Sequence, residues 1–431
     1  MLKFPTHVQL EITDVCNLRC VHCYHFDINK KQKSKDLEDE KVIEIVKKII
    51  DAKIYSLIIT GGEPLSRPKL LLKIVSLAKQ AGIFVSINTN LLLLNSHILG
   101  ELKKIKLDSF LVSCPASDSF VYNKITRGGN YDVFLKKLKL LISSNIPFLV
   151  NMVVTKNNFN FIKTTAKELS NIGIKRFAAT PASLNVDYPE EGDLLDKTQI
   201  YSLLEDLRWC SEELKLKVDI LEPIPKCFFP DWCWDEKYSF TKRTCPAGRT
   251  SVTISNNGDV RPCAHNPNVY GNLFQMSLED IWINFDEYRK KSIPLMCNNC
   301  EILYSCFGSC RTNALAIKKS ISEPDCLATF KNNFPKQDNA EQMILNYNKK
   351  LFLKENFRWR KEINSYSIIL ENDFSNLILV SDEMFRFIQY LKEELPLTPE
   401  ELFTAFSKTV KREDFEKVIK ILLRKKIIFT L

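Results

Sequence analysis

The sequence predicts an α/β chain built on a parallel sheet, followed by a cysteine-rich segment and a small winged-helix-like module. Three observations predict it. Residues 7 to about 220 alternate short apolar runs with longer amphipathic ones, the pattern of strand–helix units joined by right-handed crossovers. From about 221 to 330 prolines, tryptophans and cysteines replace that alternation, as in a region organised around metal centres rather than a large apolar core. From about 350 to the end the composition is again that of an ordinary globular segment.

The elements follow in order. HVQLEI (7–12) reads as a strand, and residues 37–53 carry Val42, Ile45, Val46, Ile49 and Ile50 at helical spacing. YSLIIT (55–60) is a strand, Pro68 opens a helix over 68–80, and IFVSINT (83–89) is a strand. A helix near 95–104, a strand at 109–114, a helix at 131–144 and a strand at 148–154 come next. A helix over 158–172 ends at Gly173, a strand spans 174–180, and a helix near 197–214 closes the series. Six such units either close partially into a half-open barrel or form a doubly wound open sheet; the periodicity fits both. The expected domains are 1–220, 221–335 and 350–431, with the polar stretch KNNFPKQDNAEQ (331–342) as a linker. In the last, YSIILEN and SNLILV are two short strands, and SDEMFRFIQYLKEEL is a helix N-capped by Ser381. TPEELFTAF and REDFEKVIKILLRKK are two more helices, and IIFTL is a terminal strand.

The bulk numbers narrow the function classes. The chain has 431 residues, 45% hydrophobic and 26% charged, which is long enough for two or three domains and ordinary for a soluble protein. Its apolar runs fall short of a membrane span, and the N-terminus lacks the pattern of a signal peptide. The net charge of +9 is spread mostly as Lys, with no dense basic block interleaved with aromatics, so neither nucleic acid nor membrane is expected as a partner. The 14 cysteines fall in CxxxCxxC and CxxC clusters. That favours cluster ligation in a reducing cytoplasm over disulfides.

Cys16, Cys20 and Cys23, in CNLRCVHC, follow directly on the first strand. A structural zinc or an ordinary electron-carrying cluster takes four protein ligands. Three thiolates on one loop therefore point to a site with one position kept free; the competing reading is a zinc site completed by His22 or His25. The strand at 55–60 runs into Gly61-Gly62-Glu63-Pro64. The two glycines would let the backbone approach a ligand closely, and the carboxylate can accept from an ammonium group.

Together CNLRCVHC and ITGGEP resemble the radical S-adenosylmethionine superfamily over roughly residues 5–220. The resemblance implies a partial (β/α)6 barrel in which Cys16, Cys20 and Cys23 hold a 4Fe–4S cluster. The open iron would chelate S-adenosylmethionine, whose reductive cleavage gives a 5′-deoxyadenosyl radical. It also implies that Glu63, with Gly61 and Gly62, meets the methionine amino group and that His22 lines the adenine. Asn88 and Asn90 would line the cofactor site, Ser113 and Asn151 would face the ribose, and Arg127, in KITRGG, would pair with the carboxylate. A flavodoxin- or ferredoxin-type protein is the implied electron donor.

A second cysteine set begins at Cys245 and continues with Cys263, Cys297, Cys300, Cys306, Cys310 and Cys326. SVTI and DVRP bracket an Asn-Asn-Gly turn within it, a hairpin signal. Two zinc ribbons are one reading of these cysteines. The full spacing resembles the SPASM auxiliary-cluster domain. That resemblance implies one 4Fe–4S cluster on Cys297, Cys300, Cys306 and Cys326 and another on Cys245, Cys263 and Cys310. The fourth position of the latter goes to Cys227, to Cys233, or to substrate. Cys114 and Cys210 lie in apolar stretches and read as core thiols.

Residues from about 350 to 431 resemble the PqqD-like peptide-recognition module, which takes a leader peptide by β-augmentation. The candidate groove is the edge at 366–371 or 376–380 with the helix at 382–395. The sequence therefore suggests a cytoplasmic radical enzyme that crosslinks a ribosomally made precursor peptide through a thioether or carbon–carbon bond. Sulfatase-maturase-like formylglycine formation and peptide epimerisation are the alternatives.

Overall fold

The structure is a computed structural model. It describes residues 2–23, 36–183, 194–330, 334–335, 345–354, 357–363, 365–370, 377–408 and 410–430. The chain divides into two compact units, Phe4–Asn333 and a second made of Met1–Lys3 with Phe334–Leu431.

In the larger unit seven parallel strands lie side by side in chain order. They are β1 (His7–Glu11), β2 (Ser56–Thr60), β3 (Phe84–Thr89), β4 (Ser109–Ser113), β5 (Phe148–Val154), β6 (Arg176–Pro181) and β7 (Lys217–Asp219). The helices between them are α1 (Asp39–Asp51), α2 (Pro68–Gln80), α3 (Ser96–Lys104), α4 (Ser119–Thr126), α5 (Tyr131–Ser144), α6 (Ile162–Asn171) and α7 (Lys197–Leu214). A doubly wound sheet reverses its strand order at a switch point. No reversal occurs here, so right-handed crossovers put every helix on one face, and the sheet curls as a barrel. The barrel stays open: among the described residues its last strand, β7, pairs with β6 alone.

The two faces of this sheet differ in chemistry because side chains alternate along a strand. Val8, Leu10, Leu57, Ile59, Val85, Ile87, Phe110 and Val112 face the helices and are wholly buried. They meet a layer that includes Ile45, Val46, Ile49, Leu71 and Ile74, also wholly buried. The other parity carries Glu11, Thr60, Asn88, Ser113, Asn151 and Thr180. The register pairs Glu11 with Thr60 and Ser113 with Asn151. The concave face is therefore polar at the carboxyl ends of the strands, where parallel barrels bind their ligands.

The cysteine-rich segment extends this sheet. The expected hairpin is present as β8 (Ser251–Ile254) and β9 (Asp259–Arg261), antiparallel to each other. What the sequence did not foretell is that β8 lies parallel against β1, with β10 (Gly271–Asn272) beyond β9. Arg261 on β9 forms a buried ion pair with Glu11 on β1. The segment also holds α8 (Leu278–Lys291), α9 (Leu303–Cys306) and α10 (Arg311–Lys318). Ser277 caps α8, and Trp282, Phe285 and Tyr288 are buried along it, a periodic element in a stretch expected to have few.

The smaller unit holds two antiparallel sheets. One pairs β11 (Leu351–Leu353) with β15 (Ile428–Thr430), and the other has the order β12 (Phe357–Lys361), β13 (Tyr366–Leu370), β14 (Ile378–Val380). Helices α11 (Asp382–Glu394), α12 (Pro399–Phe406) and α13 (Arg412–Arg424) pack around Ile368, Ile388, Leu391, Leu402 and Ile419. The strand expected over 366–371 is not an edge. As β13 it is bonded on both sides, by β12 and by β14, so its backbone groups are already used. The edge expected over 376–380 stands as β14, which pairs with β13 alone among the described residues.

Candidate active site

The first cysteine loop leaves β1 and is braced by the end of α4. The amides of Arg19 and Val21 donate to the carbonyls of Thr126 and Ile125 at 3.1 and 3.0 Å. These carbonyls lie in the last turn of a helix, where intrahelical partners run out. Across the mouth, the turn after β2 docks onto the chain between β1 and Cys16. Gly62 N–H donates to the Thr13 carbonyl at 2.7 Å and Glu63 N–H to that of Val15 at 2.8 Å. A Cβ on Gly61 would lie 2.4 Å from the Thr13 oxygen, and one on Gly62 2.3 Å from that of Val15. The glycines thus permit a close approach of two backbones, where the sequence suggested approach to a ligand.

Glu63 is 1% exposed. It accepts from Leu65 N–H at 3.0 Å, Thr89 Oγ1 at 2.7 Å and Asn90 N–H at 2.8 Å. Burial pushes its pKa up to about 7, opposed by those three donors. Asn90 joins this turn to the cysteines. Its Nδ2 donates to Asn17 Oδ1 at 2.9 Å and lies 3.9 Å from Cys16 Sγ, which also accepts from Leu18 N–H at 3.4 Å. Cys20 is pushed up to about 12 by burial first, then by Cys23 and Cys16. The three thiols are therefore near enough to oppose one another's ionisation.

The other expected residues divide. Asn88, Ser113 and Asn151 share the concave face, where Asn151 Oδ1 accepts from Thr180 Oγ1 at 2.7 Å. Arg127 is exposed and caps α4 in the left-handed conformation, directly after the Thr126 carbonyl that holds the cysteine loop. His22 carries a buried Nδ1 with no partner among the described residues, and burial lowers its pKa to about 4. His25 lies outside the described residues. Sequence reasoning missed Asn17, Thr89 and Arg67. Arg67 donates to the Ile12 and Leu37 carbonyls, each at 2.8 Å, and pairs with Asp39 at 2.5 Å. It thereby ties the turn after β2 to both ends of the segment that holds the cysteines.

The second cysteine set forms two groups. Burial raises Cys263 and Cys310 first, Cys245 then adds to both and Cys263 to Cys310, and after burial all three act on Tyr288. The Tyr288 hydroxyl is buried without a hydrogen-bond partner among the described residues. Cys297 is raised by burial and then by Cys306, Cys300 and, more weakly, Cys227. Cys227 therefore stands with this group, whereas the sequence offered it to the other. Cys233 is fully buried and faces Glu205 and Arg208, so it too is away from Cys245, Cys263 and Cys310. The acidic side chain that acts on those three is Glu222. Cys326 is exposed beside Asp325. Cys114 and Cys210 are fully buried, as expected of core thiols.

The donor sets fit iron–sulfur clusters. A cubane takes one thiolate at each separate iron, and Cys16, Cys20 and Cys23 on one loop and Cys245, Cys263 and Cys310 together offer thiols for that. The unpartnered Tyr288 hydroxyl faces one thiol trio, and the unpartnered His22 nitrogen lies between Cys20 and Cys23 in the chain. Each is a buried polar group that a bound cofactor would satisfy.

Comparison with known proteins agrees. Residues 10–169 match the Radical SAM superfamily and residues 245–301 the SPASM iron–sulfur cluster-binding domain. The chain is 26% identical to the AdoMet-dependent heme synthase of Methanosarcina barkeri over 76% of this chain and 97% of that one. It is 24% identical to the PqqA peptide cyclase of Bradyrhizobium diazoefficiens over 74% of this chain and 85% of that one. The crystal structure of Streptococcus suis SuiB bound to precursor peptide SuiA shares the fold, with a TM-score of 0.61 at 21% identity over 76% of this chain and 77% of that one. The thiol loop after β1 and the turn locked against it thus lie in a Radical SAM domain, residues 10–169, and Cys245, Cys263, Cys297 and Cys300 in a SPASM iron–sulfur cluster-binding domain, residues 245–301.

Proposed function

We propose that this enzyme installs an oxidative thioether or carbon–carbon crosslink in a ribosomally made precursor peptide. The observation that carries the peptide reading is the smaller unit. Its three-stranded sheet offers β14 as a short edge beside α11, the arrangement that β-augmentation by a leader peptide requires. We read this unit as PqqD-like. The relatives add support, since one is a peptide cyclase. A leader held there raises the local concentration of its core segment at the barrel mouth.

Cys16, Cys20 and Cys23 would hold the first cluster, and the groups on Cys245 and Cys297 two auxiliary ones. When bound, the first cluster and S-adenosylmethionine would supply the radical chemistry that removes hydrogen from a C–H bond, and an auxiliary cluster would offer a sink for the second electron. The protein's part is position and exclusion of water. The Leu18 amide and the Asn90 side chain donate to Cys16 and favour its thiolate. The buried Glu63 carboxylate fixes the turn after β2 relative to Asn90 and offers negative charge to an ammonium group. Arg127 offers positive charge to a carboxylate, and Ser113 and Asn151 present polar groups where a ribose would lie. Glu222 or the substrate would complete the group on Cys245, Cys263 and Cys310.

A second reading, heme synthesis, is favoured by the Methanosarcina barkeri relative, although roughly a quarter of this chain lies outside that match. Coexpression with a candidate precursor peptide, read by mass spectrometry, separates the readings. Loss of two hydrogens per event, with fragment ions that join two residues, is expected. An unchanged mass with inverted residues would indicate epimerisation, and conversion of Cys or Ser to formylglycine the sulfatase-maturase-like reaction. Peptide left untouched while the enzyme produces heme would sink the proposal.

A further inference from the structure

The turn of the β8–β9 hairpin reaches the base of the first cysteine loop. Strand β8 runs parallel to β1, with Ile254 opposite Leu10, so the chain leaves both strands at the same end of the sheet. Asp36, just before α1, stands where these exits meet. Its carboxylate accepts from Thr13 Oγ1 at 2.5 Å and from Asp14 N–H at 2.9 Å, both between β1 and Cys16. It also accepts from Asn256 Nδ2, in the hairpin turn, at 3.1 Å and faces Arg67 at 3.8 Å. Asn256 is only 5% exposed, so little water competes for its amide. The same cysteine-rich segment grips α1 further along. The Leu273 carbonyl accepts from Lys48 Nζ at 2.5 Å, and the Phe274 ring lies 5.3 Å from Lys41 Nζ. The buried Glu11–Arg261 pair joins β1 to β9 beneath this contact.

We propose that Asn256 and Asp36 are positioning residues for the first cluster. Through them the cysteine-rich segment fixes the stretch that leads into Cys16, so the affinity of the first site for S-adenosylmethionine depends on the hairpin. The proposal rests on reading Cys16, Cys20 and Cys23 as ligands of a cluster with one open iron. Thr13 and Asp14 lie beyond the end of β1, where no strand pairing holds them. The Gly62 and Glu63 amides hold this stretch from one side, through the Thr13 and Val15 carbonyls, and Asp36 holds it from another. Hydrogen bonds to a carboxylate are stronger than neutral ones, so Asp36 resists a shift of the backbone it grips. Asn256 in turn fixes Asp36 to the hairpin. A displacement of this lead would carry Cys16 with it, and small misplacements of a ligand site are costly.

The test uses the full-length chain, reconstituted anaerobically and reduced, as wild type, Asn256→Asp, and Asn256→Asp combined with Asp36→Asn. The single change sets one carboxylate against another. The second change exchanges amide and carboxylate and so restores a donor to the contact. Iron and sulfide are counted first. S-adenosylmethionine is then titrated while the EPR spectrum is followed, since a cluster with an open iron is the one whose signal changes on binding. Asn256→Asp is expected to bind S-adenosylmethionine about 5-fold or more weakly than wild type, with the auxiliary signals unchanged. The double variant is expected to recover toward the wild-type affinity. Wild-type affinity in Asn256→Asp, or no recovery in a fully loaded double variant, overturns the proposal. If Asn256→Asp fails to load its auxiliary clusters, Asn256→Ala, which only deletes the donor, takes its place. Weakened affinity with intact auxiliary signals in that variant supports the proposal, and unchanged affinity or a general loss of clusters overturns it. A wild type whose spectrum ignores S-adenosylmethionine overturns the cluster reading itself, before any variant is compared.

Discussion

At the residue scale, the site depends on polar side chains that link loops to one another as much as on the thiols. Asn90 reaches Glu63 through its backbone and Asn17 through its side chain, so the two loops that carry the recognisable motifs are one rigid piece. The cysteines and Glu63 were legible because their types and spacing carry chemistry. Asn17, Thr89 and Arg67 were not, because their partners are distant in sequence and nothing local marks them. The glycines were legible as glycines but not in their role: the space they leave is filled by the Thr13 and Val15 carbonyls. Gly62→Ala must push that backbone aside, an overpacking that costs about 1–3 kcal/mol. The expected outcome is a lowered melting temperature together with weaker loading of the first cluster, checked by calorimetry and iron analysis. Wild-type values in both would mean that the turn yields without cost.

At the element scale, the strands of the barrel and most of its helices were readable from periodicity, since each buries one face against a layer of the opposite kind. Two kinds of element were not. The helix α8 lies in a stretch dominated by cysteines and prolines, which hid its buried stripe of Trp282, Phe285 and Tyr288. The strand β12, FRWRK, sits among charges, and without it β13 looked like an edge. Only pairing partners decide which strand is an edge, and pairing is not a local property. The proposed leader site therefore narrows to β14. Leu379, at its centre, is 55% exposed. Proline is tolerated at a sheet edge but cannot donate there. Leu379→Pro removes a single N–H donor, so leader affinity measured by calorimetry should fall roughly 3- to 10-fold. Far-ultraviolet circular dichroism of the variant should be unchanged, and an unaltered affinity would move the site elsewhere.

At the scale of the whole molecule, the chain divides into two compact units. The larger contains all the cluster cysteines and a core of its own, so a chain ending at residue 333 should still cleave S-adenosylmethionine. Modification of a leader-bearing peptide should fall to background. Both are read by chromatography of the nucleoside and by peptide mass, and full peptide modification by the short chain would remove the smaller unit from the mechanism. By itself the sequence determined the chemistry: which thiols are grouped along the chain, where strands alternate with helices, and that a separate module follows. These are local facts, set by spacing and by the period of apolar side chains. The tertiary structure alone decided the strand order that selects a barrel over a doubly wound sheet, the addition of β8 to β1, and the side on which Cys227 falls. Each of these joins residues far apart in the chain, and no sequence period encodes which distant surfaces meet when apolar area is buried.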